Sequence, residues 1–144
     1  MDTPPEAGPK LRQVVLDTED ARGLAEFYRR LLGLAYQPGD EPPPPGQPDE
    51  RGRDWLVLRD GDGEGVGLAF QQVERAPRPT WPGTGQAQML HLDTTVGSAE
   101  ELRRQHDRAL ELGATVLHDR FDDPEEPLYV FADPAGHPFC IFVA

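Results

Sequence analysis

Twice in 144 residues, a short β-rich run passes directly into an amphipathic helix that a glycine closes. The first run is LRQVVLDT, residues 11–18, where Leu11, Gln13 and Val15 share one face and Val14 and Leu16 the other. Helical spacing follows over 18–32, with Leu24, Phe27 and Leu31 on one stripe, Thr18 or Asp20 as cap and Gly33 as stop. The second run, QMLHLDTTV, leads into a helix over 98–112. Ser98 and Glu101 form a capping box, Leu102, Ala109 and Leu112 supply the stripe, and Gly113 ends it. Three more apolar runs follow each helix: 34–37, 55–58 and 66–73 in the first half, 115–118, 127–131 and 138–143 in the second. Gln13 and His91 occupy the same place in their halves, 78 positions apart. Residue identity between the halves is slight, so the repeat is one of architecture. This order predicts an α+β fold of two βαβββ modules.

Breakers divide the chain further. Residues 1–10 read as a disordered tail, 11–75 as the first module, 76–87 as a Pro/Gly linker and 88–144 as the second module. Within the first module, residues 38–53 carry prolines and acids with nothing to bury, which predicts an extended, mobile loop.

Charge narrows the partners. Lys and Arg number 14 against 26 Asp and Glu, a net −12. Such a chain is a poor match for nucleic-acid phosphates or an anionic membrane surface. No apolar run approaches the ~20 residues that span a bilayer, and the polar N-terminus does not read as a signal peptide. One cysteine, Cys140, allows no internal disulfide, and a cytoplasmic location is the expectation.

Four stretches carry a family resemblance: QVVLDTEDARGLAEFYRRLLGL (13–34), WPGTGQAQMLHLDTTV (81–96), ELGATVLHD (111–119) and FADPAGHPFCIF (131–142). In order and spacing they resemble the glyoxalase-like domains of the vicinal oxygen chelate superfamily, which also holds bleomycin-resistance proteins and extradiol dioxygenases. The resemblance implies two modules whose sheets curl into paired half-barrel cups. Metal-using members place four ligands there, usually His or Gln, Glu, His and Glu. Others bind drugs without a metal. Members often pair, which implies a homodimer.

Carried onto this chain, the four positions fall on Gln13, on Ala69 or Gln71 of GLAFQQ, on His91 and on Cys140. Neither position that usually holds Glu has a carboxylate. Neutral donors leave a hard dication uncompensated. A thiolate with imidazole suits a softer ion, so a zinc site of Gln13, His91 and Cys140 is the metal-bound alternative. Asp93, two residues after His91, is a supporting partner or a substitute carboxylate. Cys140 also reads as a small apolar filler of the last strand. Trp55, Phe70, Tyr129 and Phe131 lie on strands expected to line the cups, with Trp81 over the mouth, where flat ligands stack. His106 and His118 read as surface residues and His137 as a turn residue.

The leading expectation is a binding protein for a small aromatic or drug-like molecule, with Gln13, Trp55, Phe70, Gln71, Trp81, Asp93, Tyr129 and Phe131 around it and no standard metal. The alternative is a lyase, isomerase or dioxygenase-type enzyme with an atypical metal near His91. Metal-free acid–base catalysis by His91 is a third reading.

Overall fold

The computed structural model describes residues 8–144. The tail expected at 1–10 therefore lies mostly outside the described residues. Each half folds as strand, helix and three strands. The first half contains β1 (Gln13–Thr18), α1 (Ala21–Leu32), β2 (Ala35–Tyr36), β3 (Trp55–Arg59) and β4 (Gly67–Gln72). The second contains β5 (Leu92–Val96), α2 (Ala99–Leu112), β6 (Thr115–Arg120), β7 (Leu128–Ala132) and β8 (Pro138–Val143). The two sheets have the orders β1-β4-β3-β2 and β5-β8-β7-β6. In each, the opening strand runs parallel to the last one and the other pairings are antiparallel.

Local chemistry sets the helix ends. Asp20 caps α1 by accepting the Gly23 N–H at 3.0 Å. Gly33 closes it at φ 69°, in the left-handed region that L side chains avoid. Ser98 caps α2 by accepting the Glu101 N–H at 3.1 Å. Only half of the expected capping box forms, because the Glu101 carboxylate turns to Arg104 and Gln105 instead.

Both sheets press one face onto a single core. Leu16, Leu56, Leu58, Leu68 and Phe70 contribute from the first sheet, and Tyr129, Phe131, Phe139 and Ile141 from the second. An aromatic chain crosses between the halves. Phe70 stacks on Tyr28 at 6.0 Å, Tyr28 meets Phe139 edge-on at 6.0 Å, and Phe139 stacks on Phe131 at 5.1 Å. The Tyr28 hydroxyl donates to Asp133 Oδ2 at 2.6 Å, and Asp133 Oδ1 accepts the N–H groups of Ala135 and His137. A buried carboxylate is thereby satisfied by both modules. Arg108 of α2 also donates to the carbonyls of Arg30 and Leu31, capping the C-terminus of α1.

The loop expected to be mobile is instead fastened. Asp40 is 2% exposed and accepts the Val57 N–H of β3 at 2.9 Å. Arg22 of α1 donates to the Asp40 carbonyl and grips Asp49 through two nitrogens. The proline count gave no sign of these anchors, because each depends on a residue distant in sequence.

Candidate functional site

Strand alternation decides which residues reach the cups. Each sheet's core face is committed to the helices, so the opposite residues line its other face. Phe70, Tyr129 and Phe131 are each 0% exposed within the shared core. This corrects the expectation that they line the cups; a place on a cup strand does not settle which face a side chain takes. Trp55 is half-buried and sits opposite Gln71 in the register, on the cup face of the first sheet.

The second sheet's cup face holds a cavity of about 520 Å³. Trp81, Leu128, Val130 and Pro138 form apolar walls, while His91, His118 and Cys140 supply polar atoms. His91 precedes β5, Asp93 follows on it, and Cys140 is Asp93's register partner on β8. Their donor atoms all lie within 4.8 Å of one another. His91 Nε2 is 3.2 Å from Asp93 Oδ1. Burial, together with the Asp93 carboxylate beside it, pushes the Cys140 thiol up to about 11. Both effects disfavour the thiolate, so Cys140 is a weak nucleophile at neutral pH.

His118 is exposed, as its surface reading expects, and it also borders this cavity, its ring edge-on to Trp81 at 6.3 Å. The β6–β7 register shifts between Val116 and His118, and a bulge of this kind re-aims a side chain without leaving a sequence signal. His106 is less exposed than expected, its ring 4.5 Å from that of Tyr129. His137 ties the modules together through the Asp17 carbonyl at 2.7 Å.

Gln13 does not join the His91 group. Its Oε1 accepts from Arg59 at 2.8 Å, and it is not among the residues lining the 520 Å³ cavity. Of the expected Gln13–His91–Cys140 set, His91 and Cys140 line this cavity and Gln13 does not. Ala69 is fully buried and brings no donor. Gln71 borders a separate hollow with Val15, Asp17 and Leu90.

The donor chemistry is selective. Hard dications favour all-oxygen ligand sets, and this group offers one carboxylate beside an imidazole and a thiol. Imidazole, carboxylate and thiol fit a zinc-type ion.

A pair of mixed four-stranded sheets, each carrying one helix and neither closed into a barrel, is the vicinal oxygen chelate architecture. The glyoxalase-like domain family matches residues 13–142, and the chain belongs to it. Among solved structures, a glyoxalase/dioxygenase from Nostoc punctiforme is similar, with TM-score 0.64 and 20% identity over 99% of this chain and 98% of that one. A glyoxalase/bleomycin resistance protein/dioxygenase family enzyme from Burkholderia phytofirmans PsJN superposes with TM-score 0.64 at 16% identity, covering 94% and 98% of the respective chains. The fosfomycin resistance protein FosX from Mesorhizobium loti gives 0.63 at 15% identity, covering 96% and 94%. At these identities the likeness is one of fold. No curated protein matches the sequence. Family members bind small molecules, often with a divalent metal, and often form dimers. No helix among the described residues is long and apolar enough to cross a membrane.

Proposed function

We propose that the chain is a small-molecule-binding protein whose pocket is the second cup, and that it holds a flat, largely apolar organic ligand without a hard divalent metal. The carrying observation is the 520 Å³ cavity, in which apolar walls stand beside His91, His118 and Cys140, with Asp93 clustered behind His91 and Cys140. Such a combination is what small-molecule sites usually present. Trp81 offers a ring face for stacking. His91 and His118 fix the polar edge of the ligand, and Asp93 holds His91 from behind. A second cavity of about 460 Å³, bordered by Thr18, Asp20, Arg78 and Gly113, lacks such a donor cluster and is the weaker candidate.

The cup faces carry apolar side chains, Val15 at 39% exposure on the first and Leu128, Val130 and Pro138 along the second. A second copy of the chain covering these faces is the arrangement that suits them, and we take the working unit to be a homodimer.

One observation favours a second reading. The clustering of His91, Asp93 and Cys140 suits a zinc-type ion, with Asp93 standing in for the family's glutamate. Such an ion would supply Lewis acidity toward a ligand oxygen, making the protein an enzyme of lyase or isomerase type.

Elemental analysis of purified protein separates the two. The first reading expects no stoichiometric metal and expects planar aromatics to quench Trp81 emission in a Trp55→Phe background. Stoichiometric zinc, lost in Cys140→Ser and Asp93→Asn, overturns it in favour of the second.

A further inference from the structure

The first cup contains a cation of its own. Arg59 ends β3, its guanidinium beside Gly67 of β4, and Gln13 of β1 is Gly67's register partner. Gly67 has no side chain, so the guanidinium lies over the middle strand and reaches the far one. A Cβ at Gly67 would stand 2.6 Å from the Leu58 carbonyl and 3.0 Å from Arg59 Nη1. Arg59 Nη2 donates to Gln13 Oε1 at 2.8 Å and to Gln37 Oε1 at 3.4 Å, and Nη1 donates to the Arg12 carbonyl at 3.4 Å.

Every one of these acceptors is neutral. Among the described residues Arg59 has no carboxylate partner, although the chain holds 26 acidic side chains to 14 basic ones. The adjacent acids are turned elsewhere: Asp60 Oδ2 faces Gly65 inside the β3–β4 turn, and Asp62 accepts the Glu64 N–H. A guanidinium has five N–H donors, and these bonds use three. Two amide side chains therefore hold a positive charge in place while leaving donors free.

We propose that Arg59, positioned by Gln13 and Gln37 over Gly67, is an anion-binding site of the first cup, and that its ligand is a small organic carboxylate. A single fixed cation in a strongly acidic chain matches a monoanion better than a doubly charged phosphate. Planar guanidinium and planar carboxylate match in shape as well. The site stands apart from the cavity around His91, so it does not depend on the function proposed above.

The test is titration of the ¹⁵N-labelled full-length chain with sodium benzoate, at ionic strength held constant with sodium chloride. Saturable shifts are expected at the Arg59 Nε–H resonance and at the amides of Gln13 and Gly67. Arg59→Met is expected to weaken binding at least tenfold, and Arg59→Lys to restore part of it. Gln13→Leu, which keeps the charge but removes a positioning contact, is expected to weaken it less than Arg59→Met. Inorganic phosphate at equal concentration is expected to shift these resonances less. Shifts absent up to the solubility limit of benzoate, or unchanged in a folded Arg59→Met variant, overturn the proposal. Stronger binding of phosphate than of benzoate overturns the assignment to carboxylates.

Discussion

Cys140 shows how neighbours set the chemistry of one side chain. Burial and the negative charge of Asp93 both disfavour its thiolate. In chelator-treated protein, iodoacetamide is expected to react slowly at neutral pH, with a rate that climbs toward a midpoint of about 11. Asp93→Asn is expected to move that midpoint down; an unchanged profile would mean that the carboxylate does not act on the thiol. Acid stability rests on other residues. Arg29 and the Tyr36 hydroxyl hold Glu26 at about 2, and Arg22 and the Gly52 N–H hold Asp49 at about 2. These folded-state values lie below the ordinary 4.5 and 3.8, so their contribution is complete above about pH 4.5. It is lost as pH falls toward 2. Urea midpoints measured across that range are expected to drop, and to drop less in Asp49→Asn, which has no ionisation to lose. His91, Asp93 and Cys140 could be picked out from the sequence by type and position. His118 and Arg59 could not, because one depends on a bulge and the other on a glycine in the strand between it and its partner Gln13.

At the scale of elements, caps and periodicity foretell most of the fold. Gly33 and Gly113 close the helices where the apolar stripes end. The loop at 38–53 is the exception, and Asp40 is the reason. Its buried carboxylate accepts a backbone N–H of β3 and meets Arg51 at 3.4 Å. Asp40→Ala leaves that N–H unpaired, at a cost of about 1–3 kcal/mol. Limited proteolysis is expected to cut the variant within 38–53 while sparing the parent chain. Equal resistance in the two would show that Arg22 and Asp49 suffice to hold the loop. Alternation also explains the aromatic misplacement. Phe70, Tyr129 and Phe131 lie on cup strands, but face follows from register, and a strand with both faces covered shows no alternation to read.

The whole molecule is two similar modules joined through one core. Tyr28 belongs to the first module, and its hydroxyl satisfies Asp133 of the second. Tyr28→Phe removes that donor from a buried carboxylate, costing about 1–3 kcal/mol. Because Tyr28 also packs on Phe70 and Phe139, both halves are expected to lose stability together. Calorimetric and van't Hoff enthalpies should agree; two resolved transitions would show the modules to be independent. The sequence repeat revealed two modules, but not that their helix-side faces share one core. That arrangement gives the second cup its own cavity, and the central claim is that ligands bind there. The most direct measurement is amide shift mapping with neutral bicyclic aromatics such as indole and quinoline. Shifts clustered at Trp81, His118, Val130 and Cys140 are the expected result. Shifts clustered instead at Thr18, Asp20 and Gly113, or no shifts at all, would contradict it.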